Sequence, residues 1–209
     1  MARVGLLLSG CGFYDGTDIH EAVLAMLALE RAGARIDCLA PEGLRGETVD
    51  HSTGQVVEGE SRAILAEAAR IARGRVQPVS EARSSLLGAL VIPGGVGVAR
   101  SLVRGFGKPG GGMTVEPSVA ALVRSFLDQR KPIGAVSLAG TLARLVLGMP
   151  LDETWVDTPA GDIRVDEENG LVWTPGYLGP GTLPDVETGI TRMVEEVLNR
   201  IPRRQTVPS

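Results

Sequence analysis

The chain has few aromatic residues, with two Trp, two Tyr and three Phe in 209 positions. So few rings cannot build the stacking platforms of proteins that hold single-stranded nucleic acid. It also lacks an excess of positive charge. Lys and Arg number 21 against 25 Asp and Glu, a net charge of −4. That excludes the basic stripe of a nucleic-acid protein and the polybasic face of a membrane-surface protein. The only cysteines, Cys11 and Cys38, cannot make a disulfide framework. They read as thiols of a reducing compartment and point to the cytoplasm. Histidine is nearly absent too. His20 and His51 are too few and too far apart for a histidine-rich metal site, and no metal or cofactor is expected. No apolar run reaches the ~18 residues of a membrane span. The opening MARVGLLLSG reads as a strand, not a signal peptide. There is no internal repeat and no linker, so residues 1–209 read as a single domain with a loose tail at 201–209.

Glycine, in contrast, is abundant. There are 28, about twice the usual share of ~7%. Glycines at that density imply tight strand-to-helix turns and close approach of backbone to something else. Apolar runs of strand length alternate with helical patterns, which predicts an α/β sandwich with a mainly parallel sheet. Arg3–Ser9 is a continuous apolar strand of the buried type. Asp18 then caps a helix over Ile19–Ala32 that stops at Gly33. A strand follows at Ala34–Ala40, then a polar excursion over Glu42–Gly59. A helix is predicted over Glu60–Arg73, with Ile64, Leu65, Ala68 and Ile71 on one stripe. Strands at Leu90–Pro93 and Pro132–Val136 are followed by Gly94-Gly95 and by a helix over Leu138–Leu147. A helix at Ser118–Gln129 lies between them, and the last helix is predicted over Thr188–Arg200. Between Thr154 and Thr174 the period shortens to that of a small β-meander, turning at Glu168-Asn169-Gly170.

Ligands of open parallel sheets bind past the carboxyl ends of the strands, at the switch in strand order. Three turns fall there: Gly10–Asp18, Gly94–Ala99 and Ser137. At the third, the strand PIGAV meets the helix LAGTLARLVL with Ser137 alone between them. A side chain there is lifted above the sheet toward a helix N-terminus, the shape of a nucleophile elbow. The spacing is looser than Gly-x-Ser-x-Gly, and a Ser that merely caps the helix would look the same. The Gly-rich run Gly105–Gly112 has no Lys-Ser/Thr pair, so a lid suits it better than a phosphate cradle. The acidic run Asp166, Glu167, Glu168 reads as a solvated turn.

Four stretches are specific: LLLSGCGFYDGTDIHEAV at 6–23, VDHSTGQVVEGESRAILAEAARIARG at 49–74, LVIPGG at 90–95 and VDEENGLVWTPGY at 165–177. In these the chain resembles the DJ-1/PfpI superfamily, with its class I glutamine-amidotransferase-like, flavodoxin-like fold. More narrowly it resembles the ES1 branch, which includes bacterial proteins named for enhancing lycopene biosynthesis. The resemblance spans most of residues 3–200 and implies a homodimer. It places the family's early helix Glu at Glu21 and its nucleophilic Cys at Ser137. It assigns oxyanion-binding amides to Gly94-Gly95 and to Leu138, the residue after the elbow. The superfamily often adds a later His, but this chain has none after His51. Val96 stands where the branch has Phe, and Gly140 where it has Pro. The segment after the elbow helix is short, with Gly148-Met149-Pro150 leading toward Trp155.

Ser ionises far less readily than Cys and needs an adjacent base to attack a carbonyl. Glu21 is the residue placed to supply one, provided burial raises its pKa. Alone, such a carboxyl can shuttle a proton on a bound carbonyl compound. The plainer role for Glu21 is to partner Asp18 in the helix cap. Cys11, Tyr14 and Asp15, in the first loop, are candidate pocket residues, although a packed Cys11 is the plainer reading. His20 precedes Glu21 and projects elsewhere on the helix. His51 reads as a surface or subunit-interface residue. The expected function is an enzyme, without cofactor, acting on a small carbonyl-containing metabolite by glyoxalase-like lyase, isomerase or hydrolase chemistry. The alternative is a non-catalytic member that binds a metabolite or protein partner.

Overall fold

A computed structural model describes residues 1–44, 47–106, 112–150 and 157–202. The interior of the Gly-rich run, Trp155 with the start of the meander, and the tail past residue 202 lie outside the described residues. In chain order the elements are β1 (Arg3–Leu7), α1 (Ile19–Arg31), β2 (Arg35–Ala40), β3 (Val49–Asp50), β4 (Gln55–Val56) and α2 (Ile64–Ile71). Then come β5 (Val76–Pro78), β6 (Ala89–Ile92), α3 (Val96–Leu102), β7 (Val103–Arg104), β8 (Thr114–Val115) and α4 (Pro117–Asp128). The last are β9 (Ile133–Val136), α5 (Ala139–Leu147), β10 (Arg164–Asp166), β11 (Leu171–Thr174) and α6 (Leu183–Asn199).

Seven strands form one sheet in the order β10-β11-β9-β6-β1-β2-β5, parallel throughout except for β10 against β11. Strand side chains alternate between its faces. Val4, Leu6, Ala89, Val91 and Val136 point to one face, where α1, α2 and α6 cover them. Leu7, Leu90, Ile92, Ile133 and Ala135 point to the other, against α3, α4 and α5. This is the three-layer α/β sandwich that the alternating pattern predicts, of the flavodoxin-like kind that the family resemblance implies. The antiparallel hairpin expected around Glu168-Asn169-Gly170 is present as β10–β11, where it extends the main sheet. The chain leaves β1 toward β2 and β5, then returns to lay β6 on the other flank of β1. The loops after β1, β6 and β9 therefore converge at the carboxyl end of the sheet, around the change in direction.

Local chemistry explains where the elements depart from the expected spans. The helix expected from Glu60 starts at Ile64, because Ala63 is extended (ψ 123°) and bridges to Leu44. The last helix starts at Leu183, ahead of the expected Thr188. Thr182 and Asp185 form a reciprocal capping box there, with Pro184 in the first turn. The polar excursion contains the hairpin β3–β4. Three elements have no counterpart in the predicted set: β5, α3 and the β7–β8 hairpin. Each is too short to show a period. Of the expected tail, Ile201 packs against the core beside Gly88.

Candidate active site

The loop after β1 is knit from within. The Ser9 amide donates to Thr17 Oγ1 at 2.7 Å, and the Gly12 amide to the Thr17 carbonyl at 2.9 Å. Asp18 then caps α1, accepting from the Glu21 amide at 3.1 Å. Its own amide donates to the Gly94 carbonyl at 2.9 Å, which ties the first loop to the second. The elbow is tied to the neighbouring strand, since the Ser137 amide donates to the Thr174 carbonyl at 2.9 Å. Trp173 Nε1 donates to the Ser137 carbonyl at 3.0 Å. A side chain on Gly140 would place its Cβ 2.7 Å from the Trp173 ring, so this chain has no room for one there.

Glu21 lies at the centre of this arrangement, only 1% exposed. Its Oε2 accepts from the Gly94 amide at 2.8 Å and its Oε1 from the Tyr177 amide at 3.2 Å. The Ser137 side chain lies beside the carboxyl and slightly favours its charged form. Burial, with the Asp18 carboxylate nearby, pushes the Glu21 carboxyl up from its ordinary 4.5 to about 8. At neutral pH the group is therefore mostly a neutral acid, yet one unit of pH yields a substantial carboxylate fraction. Of the capping box expected here only the Asp18 half forms: the Glu21 side chain turns to the Gly94 and Tyr177 amides, and the Asp18 amide donates to the Gly94 carbonyl instead. The cap thus uses the backbone amide of Glu21 and the site its side chain.

Ser137 has the turn geometry of an elbow. It is 4% exposed and sits in the left-handed region at φ 57°, which L residues other than Gly rarely adopt. Such a conformation costs on the order of 1 kcal/mol and persists only where the surroundings enforce it. Ser137→Gly is therefore expected to unfold at higher denaturant, with a gain of about 1 kcal/mol, while removing a hydroxyl from Glu21. Urea midpoints of the two proteins measure this, and an unchanged or lower midpoint would contradict stored strain at the elbow.

The expected oxyanion donors divide. The Gly94 amide is engaged by Glu21 and does not face a ligand unaided. Among the described residues, no protein acceptor takes the amides of Gly95 or Leu138. These open α3 and α5, whose N-termini carry partial positive charge. Asp15 is buried at 2% exposure, and its Oδ2 accepts from the Val49 amide at 2.7 Å, which fastens the first loop to β3–β4. Tyr14 is turned the same way. Its amide donates to His51 Nε2 at 3.1 Å and its ring lies 5.2 Å from the His51 ring. His51 Nδ1 in turn donates to the Val49 carbonyl at 3.1 Å, so His51 is a strut of this fastening. Cys11 is half-buried against the core and Cys38 is buried; neither forms a disulfide. The acidic turn is structured: Asp166 accepts from the Asn169 amide, and Glu167 pairs with Arg200 through two contacts at 2.6 and 2.7 Å. Among the described residues no cluster of His, Cys, Asp and Glu could hold a metal. No described helix is long and apolar enough to cross a membrane.

Sequence reasoning missed Tyr177, and His20 was expected to project elsewhere. Tyr177 ends the segment VDEENGLVWTPGY, which carried the resemblance without any role for its last residue. Its amide holds Glu21, and its hydroxyl lies 2.8 Å from His20 Nδ1. His20 does project away from its helix neighbour Glu21, but the loop after β11 comes to meet it. Burial and the nearby Asp18 and Glu21 carboxyls push the Tyr177 phenol above its ordinary range.

A buried acid beside a side chain lifted above a parallel sheet, at the switch in strand order, is what the resemblance to the DJ-1/PfpI superfamily implies, and the fold is of the DJ-1/PfpI type. Comparison with solved structures agrees. Toxoplasma gondii DJ-1 in its oxidised form superposes over 96% of this chain and 92% of that one, with TM-score 0.53 and 18% identity, a likeness of fold alone. An isoprenoid biosynthesis protein with an amidotransferase-like domain from Ehrlichia chaffeensis has TM-score 0.88 and 31% identity, over 97% of this chain and 100% of that one. The human glutamine amidotransferase-like class 1 domain-containing protein 3, mitochondrial, is 35% identical over 94% of this chain and 82% of its own length. The rat ES1 protein homolog, also mitochondrial, is 34% identical over 94% of this chain and 83% of its length. No family model matches. The chain belongs to the ES1 family of glutamine amidotransferase-like class 1 domain proteins. These relatives correct the cytoplasmic assignment, since the named ones are mitochondrial proteins. The reason is physical: having too few cysteines for a disulfide framework does not distinguish one reducing compartment from another.

Proposed function

We propose that the chain is an enzyme that moves a proton on a small carbonyl-containing compound, with Glu21 as the acid and base and Ser137 at the elbow. The observation that carries this reading is the buried Glu21 carboxyl, held by two backbone amides against a strained Ser137 and titrating near 8. A group that titrates near the working pH both takes and returns a proton efficiently. A Glu with its ordinary pKa would be a poor base here. The unused amides of Gly95 and Leu138, at two helix N-termini, suit a carbonyl oxygen that gains negative charge as the neighbouring carbon loses its proton. Ser137 then serves as a hydrogen-bonding partner of Glu21 and of the bound oxygen. Covalent attack by Ser137 is less well supported, because both histidines are engaged elsewhere, His20 with Tyr177 and His51 with Tyr14 and Val49. Glyoxalase-like and isomerase outcomes share this proton transfer, whereas a hydrolase outcome would have Glu21 take its proton from an attacking water.

The test compares wild type, Glu21→Gln, Ser137→Ala and Ser137→Cys on a panel of small aldehydes and ketones. Proton transfer through Glu21 predicts activity in wild type, about 10²-fold or more lost in Glu21→Gln and a smaller loss in Ser137→Ala. If wild type and all three variants are equally inert while a ligand still binds, the chain is a binding protein instead. If only Ser137→Cys acts, the site has lost a thiol chemistry that it can still accommodate.

A further inference from the structure

The proton-transfer reading leaves one demand unmet. As Glu21 removes a proton from carbon, the carbonyl oxygen must be stabilised or protonated. A group doing so by donating its own proton must afterwards regain one from water. Glu21 cannot do both jobs at once, since in that step it is taking the proton from carbon. Tyr177 and His20 are placed to do it. The Tyr177 backbone is fastened to Glu21, so its position is set relative to the acid. Tyr177 is 41% exposed, so it reaches water while its amide holds the buried carboxyl. Its hydroxyl meets His20 Nδ1 at 2.8 Å, with ring centroids 5.9 Å apart, and His20 is itself exposed to water.

We propose that Tyr177 is a second acid of this site, donating its hydroxyl proton to the substrate's carbonyl oxygen, and that His20 is the residue that positions and reprotonates it. The inference rests on the proton-transfer reading above. The step balances. The substrate C–H bond breaks and its proton passes to Glu21, while the electron pair moves to the carbonyl oxygen. That oxygen takes the Tyr177 proton, Tyr177 takes the proton on His20 Nδ1, and His20 Nε2 takes one from water; the hydroxide left is neutralised when Glu21 releases the proton it took from carbon. A phenol held above its ordinary pKa stays protonated and able to donate at neutral pH. The pair also supplies a histidine to a site that has none following the elbow, from the start of α1.

Two measurements test this. The first is exchange of carbon-bound hydrogen for deuterium in hydroxyacetone, followed by NMR in heavy water. Wild type exchanges; Tyr177→Phe is expected to be slower by about 10²-fold, because the fastening amide remains while the hydroxyl is lost. His20→Ala is expected to be slower by about tenfold and to recover with added imidazole, whereas His20→Asn, which can hold the phenol but not relay a proton, stays slow. Full activity in His20→Asn, with no response to imidazole in His20→Ala, would overturn the relay. The second is binding of acetohydroxamate, a planar anionic stand-in for an enediolate, measured by calorimetry. Tyr177→Phe is expected to weaken it at least about tenfold. Equal affinity in wild type and Tyr177→Phe, or no binding to wild type, would overturn the role of Tyr177. Absence of exchange in wild type together with Tyr177-dependent binding would instead overturn only the proton-transfer reading.

Discussion

Gly94→Ala is expected to destabilise the protein by about 3 kcal/mol and to dismantle the site, because nothing around the new methyl group can move. Its Cβ would lie 2.5 Å from Glu21 Oε2, 2.5 Å from Ser137 Cβ and 2.6 Å from the Val136 carbonyl oxygen. The last is sheet backbone at the end of β9, and Ser137 is already strained at φ 57°. The Glu21 oxygen is held by the Gly94 amide itself, so its retreat would break the bond that places it. Gly161→Ala is the control. Its Cβ would find no atom nearer than 3.7 Å, and its φ lies outside the left-handed region. Urea unfolding of both variants decides the matter. A Gly94→Ala protein as stable as Gly161→Ala would show that the three loops do not meet as tightly as described.

Glu21→Gln is expected to change the pH dependence of stability more than stability itself. The folded-state pKa, near 8, lies above the ordinary 4.5 of the unfolded chain. Between those values the folded protein binds more protons than the unfolded one, so stability falls as pH rises. The contribution is fully present below about 4.5 and lost as pH rises through about 8. With ~1.4 kcal/mol for each pKa unit, the loss is on the order of a few kcal/mol. Gln has the same shape but never ionises, so it escapes this loss, although its NH₂ must face one of the two backbone amides. Wild type should therefore equal or exceed Glu21→Gln in melting temperature at pH 5 and fall below it at pH 9. Subtracting the two curves removes the other titrating groups. A difference that stays flat from pH 5 to 9 would mean that Glu21 ionises normally.

The same residue shows how far the sequence could be read. Asp18, Glu21 and Gly33 mark out α1 by cap chemistry alone, and the structure follows. The continuous apolar runs at β1, β6 and β9 announce buried parallel strands, because strands covered on both faces cannot alternate with polar residues. Ser137 is visible as an elbow because a strand and a helix abut with one residue between them. The capping box at Thr182 and Asp185 was also in the sequence, but the apolar stripe drew the start of α6 further along the chain. Short elements such as α3 and β5 are not legible locally, since their conformation comes from the sheet and loops they pack on.

The sequence by itself determined the class of fold, the elements that bear the site and the identities of its two central side chains, Glu21 and Ser137. The fold class, the elements and the elbow at Ser137 follow from local rules of period, cap and turn, while the place of Glu21 in the site follows from the resemblance to the DJ-1/PfpI superfamily. Only the tertiary structure decided what these groups are. It raised the Glu21 pKa by enclosing the carboxyl, engaged the Gly94 amide that a bound oxyanion was expected to use, and turned Tyr14 and Asp15 to the β3–β4 hairpin. It also brought Tyr177 to His20 across most of the chain. Desolvation and contact between distant segments depend on how the layers pack, and no short stretch of sequence records that.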